Sequence, residues 1–202
     1  MHFNFSNNLD FPPTFNLGGE DLEVVNHAKI LGIFVNDRLK WDTHVDHVSR
    51  KARQRMWALR RLSELKLDYN IIIDFYHKEV RSILEYGAVI FHGGLTKQQS
   101  EALESVQRGF FKFLSHSLQI KLSYNEACIF FATDKLVFRR LDLCKTFIKR
   151  NKKNPVHSEL FKTVNKHYDT RSSPSNLKQH KARTRRFANS PLVFLTRLAN
   201  QM

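Results

Sequence analysis

The sequence predicts a mainly α protein: a helical bundle preceded by a short β-hairpin and followed by a basic arm and a terminal helix. Three observations carry that expectation. Apolar residues recur at spacings of three and four through most of residues 42–152, the period of a buried helix face. Two helix-start signals, Thr96-Lys97-Gln98-Gln99 and Ser123-Tyr124-Asn125-Glu126, have the form of capping boxes. Short apolar runs bounded by turn residues, the mark of strands, occur only before residue 41.

Composition fits a packed domain. The chain has 202 residues, 42% of them hydrophobic, enough for one domain of ordinary size or two small ones. That apolar content excludes wholesale disorder, and the 17 phenylalanines suit helices packed through bulky faces.

Residues 1–22 are polar, with Pro12-Pro13 and Gly18-Gly19, and read as a loop leading to a short strand near Leu22–Val25. They resemble a chain entered midway. Residues 28–35 (AKILGIFV) read as the next strand, with Asn36-Asp37-Arg38 as its turn because Asn and Asp tolerate turn geometry. No glycine follows that Asn or Asp, so the tight two-residue hairpin signal is missing there.

A helix follows, with Asp42 or Thr43 as its cap. Val45, Val48, Ala52, Met56, Leu59 and Leu62 form its buried face. On the opposite arc Arg50, Arg53, Trp57, Arg60 and Arg61 fall within a sector of about 100° at 100° per residue. A second helix is expected over Tyr69–His92, apolar nearly all round and stopped by Gly93-Gly94. A third begins at Thr96, with Leu103, Val106, Phe110 and Leu114 inward; a short one opens at Ser123 and runs through Phe131. Another spans about Lys135–Lys152 through Leu136, Leu141, Leu143, Cys144, Phe147 and Ile148. Residues 171–186 are basic with almost no large apolar side chain, and read as a loop or flexible arm. Ser190-Pro191 opens the last helix, since proline at the first helical position loses no hydrogen bond; Leu192, Phe194, Leu195 and Leu198 dock it.

Charge points to a partner class. The net charge is +14 and unevenly spread: −3 over residues 1–45, +4 over 46–120 and +13 over 121–202. That asymmetry suits a polyanion, nucleic acid first and an anionic membrane surface second. Two cysteines, Cys128 and Cys144, do not make a disulfide framework, and reduced thiols of a nuclear or cytoplasmic protein are the simpler expectation. No stretch is long and apolar enough to span a bilayer, and the N-terminus lacks the pattern of a signal peptide.

The Arg50, Arg53, Trp57, Arg60, Arg61 sector suits a phosphate backbone, with Trp57 stacking on a base or sugar. The alternative is a solvated helix face with Trp57 packed under another segment. Lys178, Lys181, Arg183, Arg185 and Arg186 suit non-specific RNA or DNA binding, a nuclear-localisation-like run, or a solvated tail. His44 and His47 have metal-compatible spacing but no third ligand nearby, so no metal site is expected. Neither is a nucleophile pair from Cys128 with His116 or His157, nor a phosphate loop at Gly93-Gly94.

The order of segments resembles one family. KILGIFVNDRLKW (29–41), His44 with Val45, KARQRMWALRRL (51–62), VRSILEY (80–86), GGLTKQQSEALESVQRGFFKFL (93–114) and HYDTRSSPSNLKQHKARTRRFANSPLVFLTRLAN (167–200) resemble the region after the polymerase core of LINE-type (non-LTR, jockey-like) retrotransposon reverse transcriptases. The upstream FPPTFNLGGEDLEVV (11–25) fits as well. The resemblance implies three parts: a palm remnant with the hairpin at 1–41, a thumb-like helical bundle at 42–116 and a basic helical extension at 117–202. It implies that Leu31 and Gly32 contact a primer strand and that the chain binds RNA, DNA or their hybrid, and it suggests a palm-containing polypeptide as a further partner. Ile30 and Phe91 depart from the family's usual aromatic and tryptophan. No Asp-Asp pair is present, so the carboxylates that would hold two Mg²⁺ ions are missing. The chain is expected to lack catalytic residues and a cofactor of its own, Mg²⁺ belonging to the parent enzymes. The alternative is a non-functional or domesticated remnant acting as a protein-interaction module.

Overall fold

The computed structural model describes residues 16–21, 25–36, 38–65, 67–157, 160–163 and 177–202. Among these residues the protein is mainly helical, with two small antiparallel hairpins ahead of the helices. The Pro12-Pro13 loop, residues 22–24 of the expected strand near Leu22–Val25, and residues 171–176 of the basic run lie outside the described residues. Strand structure appears earlier than expected. β1 (Asn16–Leu17) pairs with β2 (Glu20–Asp21) around Gly18-Gly19.

The second hairpin corrects the single strand expected over residues 28–35; at the turn expected after it, Leu39 N donates to Asn36 O at 3.0 Å, while Asp37 lies outside the described residues. β3 (His27–Ile30) pairs with β4 (Ile33–Asn36), and Leu31-Gly32 is the turn between them. Both turn residues have positive φ, +47° and +85°, as a two-residue turn matching the right-handed strand twist requires. Glycine takes that geometry freely; leucine does so at a cost of about 1–2 kcal/mol. The Tyr86 hydroxyl donates to the Leu31 carbonyl at 2.8 Å and so holds the turn from a distant helix. Nor is the hairpin isolated: Ile33 is buried in the core, and β4 packs on the first helix.

That helix, α1 (Asp42–Ser63), is capped by Trp41 without a side-chain bond, not by Asp42 or Thr43. Asp42 instead accepts from Gln99 Nε2 at 2.7 Å, so its carboxylate joins two helices. The expected single helix over 69–92 is broken. It comprises α2 (Tyr69–Phe75, capped by Asp68), a π-helical turn (Tyr76–Arg81), α3 (Ser82–Glu85) and α4 (Ala88–Phe91), ending in a 3-10 turn at His92–Gly94. The break falls at Tyr86-Gly87: Tyr86 leaves helical geometry at ψ 122°, and Gly87 turns the chain into α4 at φ +71°. An added Cβ there would stand 2.6 Å from Ile33 Cδ1, so this glycine also lets the hairpin close on the bundle. The segment is not buried all round either: Ile71, Tyr86 and Ile90 are exposed.

Both capping boxes form. Thr96 Oγ1 accepts from Gln99 N at 3.1 Å and opens α5 (Lys97–Ser117); Ser123 opens α6 (Tyr124–Phe130) with Glu126. α7 (Leu136–Asn151) buries Leu136, Arg140, Cys144 and Ile148. Leu177 is pinned by Asn200, which accepts from its N–H at 2.8 Å and donates to its carbonyl at 3.0 Å. The chain then runs through α8 (Arg185–Ala188) into α9 (Pro191–Ala199), which buries Val193, Leu195 and Leu198. One core runs from Ile33 through α1–α6 to Leu136, centred on Tyr76, whose ring stacks on Phe110 at 4.0 Å. A second gathers Cys144, Ile148, Phe161, Leu177, Leu195 and Leu198. Cys128 and Cys144 are free thiols; burial pushes Cys144 up to about 11, the nearby Arg140 acting against it.

Gly93-Gly94 is more than a helix stop. A Cβ on Gly93 would sit 2.5 Å from Phe194 Cγ, and one on Gly94 would strike the Trp41 indole. These glycines let α9 and Trp41 close on the end of α4. Gly94→Ala is expected to destabilise by about 1–3 kcal/mol through overpacking, read as a lower urea midpoint. Gly109→Ala is the control: an added Cβ there meets nothing within 4 Å, and helix propensity alone predicts a gain of up to about 1 kcal/mol.

Candidate nucleic-acid interface

α1 turns Val45, Val48, Ala52, Met56 and Leu59 into the core, and the 3.6-residue period leaves the opposite arc to solvent. Arg50, Arg53, Trp57, Arg60 and Arg61 are all exposed on it. Trp57 is 62% exposed, so it is not packed under another segment. Arg61 lies over the Trp57 ring, 5.3 Å from its centroid, and pairs with Glu64 at 3.2 Å.

α5 widens the face. Arg53 donates to Ser105 Oγ at 3.4 Å, and the Arg60 guanidinium lies 5.9 Å from the centre of the Phe113 ring. With Asp42 bonded to Gln99, α1 and α5 run side by side in the same direction. Arg108 and Lys112 follow Ser105 at helical spacing and are also exposed. The two helices thus form one surface with Arg50, Arg53, Arg60, Arg61, Arg108 and Lys112 set against Asp46, Glu64 and Glu101. Arg108 is engaged by Glu101 at 2.5 Å. Gly109, at the centre of α5's exposed side, leaves open space above its backbone.

The hairpin borders the N-terminal half of the face. Phe34 packs against His47 with ring centres 4.6 Å apart, tilted by 48°, and carries Lys29 5.7 Å from its ring centre. Burial lowers the His47 pKa, and Lys29, Arg50 and Lys51 lower it further, which records a positive field at this end. His44, its expected metal-spacing partner, faces inward. It is fully buried, with Nδ1 accepting from Phe34 N at 3.4 Å. Among the described residues no group of three or more His, Cys, Asp or Glu gathers as metal ligands, and no helix is long and apolar enough to cross a membrane.

The second basic group lies elsewhere. Lys178, Lys181, Arg183, Arg185 and Arg186 are exposed on the segment from Leu177 into α8. Lys178 N donates to Lys162 O at 2.7 Å, and Thr184 caps α8. This segment adjoins α9 through α8. Sequence reading missed Arg108 and Lys112, although their spacing on the polar side of α5 was a usable signal. It also missed Lys29, whose approach to α1 depends on the hairpin turn.

Residues 41–82 match the family model described as Alkylated DNA repair protein alkB homolog 8, N-terminal. That span holds α1, α2 and the π turn, about a fifth of the chain. No curated protein and no solved structure matches the chain. The match corrects the expected membership in the LINE-type reverse transcriptases, since the Arg/Trp helix agrees with a different family. The reading of the chain as a C-terminal reverse-transcriptase fragment goes with it; the primer-contacting role of Leu31 and Gly32 was only an implication of that resemblance. Those two residues have a sufficient structural reason as the β3–β4 turn. The resemblance rested on short amphipathic segments, and apolar periodicity with interspersed arginines recurs in any basic helical bundle.

Proposed function

We propose that the protein is a nucleic-acid-binding helical module whose contact surface is the α1–α5 face. One observation carries this reading: Arg53 and Arg60 reach Ser105 and Phe113 and so join two helices in one cationic surface. Phosphate backbones are held by such arrays because each cation releases condensed counterions. The description of the matched family, an alkylated DNA repair protein, gives independent support for a nucleic-acid partner. RNA and DNA both satisfy the charge requirement, and either puts the chain in the nucleus or the cytoplasm. The arm with Lys178, Lys181, Arg183, Arg185 and Arg186 supplies further cations for the same polyanion.

The test is binding of labelled RNA and DNA across a salt series. Affinity is expected to fall steeply with salt, and Arg53→Ala with Arg60→Ala should reduce the log–log slope by about 1.4–1.8. An unchanged affinity would move the contact to the 178–186 arm. No binding at low salt would end the reading.

A further inference from the structure

Trp57 is the one feature of the face that charge does not explain. An exposed indole contributes nothing to phosphate neutralisation, and leaving it 62% exposed forgoes the apolar gain of burial. The chain has two tryptophans, and the other, Trp41, is in the core at 8% exposure. The neighbours of Trp57 are cationic: Arg50, Arg53, Arg60 and Arg61 occupy the same arc of α1, and Arg61 is stacked over the ring. Arg61 is also tied to Glu64, and the guanidinium so held fixes a planar cation against the indole. A flat aromatic surface framed by phosphate-binding groups is what an unpaired base needs. A duplex keeps its bases stacked inside and offers the same face only phosphates and groove edges.

We propose that Trp57, with Arg61, is a base-stacking platform that selects single-stranded nucleic acid over duplex. This rests on the α1–α5 face being a nucleic-acid contact. The strand's phosphates follow Arg53, Arg60 and Lys112 while one base stacks on the indole. Gly109 suits that path, since no side chain rises from the middle of α5 beside Arg53 and Phe113.

The experiment compares three probes on the full chain: an oligo(dT) strand, the same length of duplex, and an abasic strand that has the phosphates without the bases. Oligo(dT) is expected to bind best and to quench Trp57 fluorescence, while buried Trp41 gives a constant background. Trp57→Ala should weaken oligo(dT) binding roughly ten- to hundredfold, the size of one lost stack, and leave abasic binding unchanged. Trp57→Phe, which keeps an aromatic ring, should recover most of the loss. Equal affinity for all three probes, or full oligo(dT) affinity in Trp57→Ala, overturns the platform even if Arg53→Ala with Arg60→Ala still weakens binding. Failure of every probe to bind overturns the underlying reading as well, so the two failures are distinct.

Discussion

Glu104→Ala is expected to lower the stability of the fold by about 3–5 kcal/mol, the usual size for breaking a buried charged network. Glu104 is 7% exposed on α5. Its Oε1 accepts from the Tyr124 hydroxyl at the start of α6 and from the Leu136 N–H of α7 at 3.1 Å. Gln107, one turn on, donates to Tyr124 at 3.0 Å and to the Asp134 carbonyl at 2.9 Å, and accepts from Tyr76 at 2.8 Å. Two side chains of α5 therefore bond the π turn, α6 and α7. Burial and then the bond to Glu104 hold the Tyr124 pKa far above its ordinary value, so it remains a donor.

The same carboxylate bears on Arg140, which is fully buried and donates to Ser100 Oγ at 2.8 Å. Desolvation lowers the Arg140 pKa, and the fields of Glu104 and Glu85 oppose that. Alanine at 104 thus leaves the Leu136 N–H unpaired, the half-buried Tyr124 hydroxyl without its acceptor and a buried cation less compensated. Glu104→Gln keeps an acceptor without the charge and should cost less, about 1–3 kcal/mol. Combined with Arg140→Met, Glu104→Ala should cost less than the sum of the two single changes, with a coupling of about 1–3 kcal/mol. Urea midpoints at fixed pH measure all four chains. A Glu104→Ala midpoint within error of wild type would show that this network does not join the helices.

None of that network was legible in the sequence, and the contrast with what was legible is physical. α5 could be read because its signals are local: Thr96 and Gln99 lie three residues apart, and Leu103, Val106, Phe110 and Leu114 recur on one face. The Arg50-to-Arg61 arc of α1 could be read for the same reason. The Leu31-Gly32 turn could not, because the hydroxyl that steadies a left-handed leucine belongs to Tyr86, 55 residues away. The break at Gly87 was hidden for a related reason. A glycine in an apolar helix pattern does not reveal that Ile33 will pack against it. Half of the candidate face was missed likewise, because the meeting of Arg53 with Ser105 depends on how two helices pack. The failed family resemblance makes the complementary point: local patterns specify helices well, and they identify ancestry poorly.

Acid is expected to unfold the protein well above the carboxylate range. His44, His77 and His92 are each pushed down to about 4, chiefly by burial; His47 adds to the shift of His44, Arg81 to that of His77 and Arg140 to that of His92. Their surroundings favour neutral rings. His44 lies 4.9 Å from the Phe91 ring, His92 lies 5.5 Å from that of Phe194, and His77 bonds Thr133 at 3.1 Å. In the unfolded chain each titrates near its ordinary value of about 6.5. Between about pH 6.5 and 4 the unfolded state therefore binds more protons, and stability falls as pH falls. The contribution is fully present above 6.5 and gone below 4. The shift of the fully buried His44 is worth up to about 3 kcal/mol, and those of the half-buried His77 and His92 less because solvent screens them; together they are a large part of a typical domain's stability of about 5–15 kcal/mol. Glu126 does not imitate this window. Its cap bonds lower its pKa, so its contribution is present above about 4.5 and is lost below that. Urea midpoints should hold level from pH 7.5 to about 6.5 and decline from there to 4.5, and His77→Gln, which keeps a partner for Thr133 without a titrating ring, should flatten the decline by up to about a third. Resonances of His44, His77 and His92 titrating near 6.5 in the folded chain, or a flat midpoint between pH 6.5 and 5, would show that these rings do not hold the fold in its neutral form.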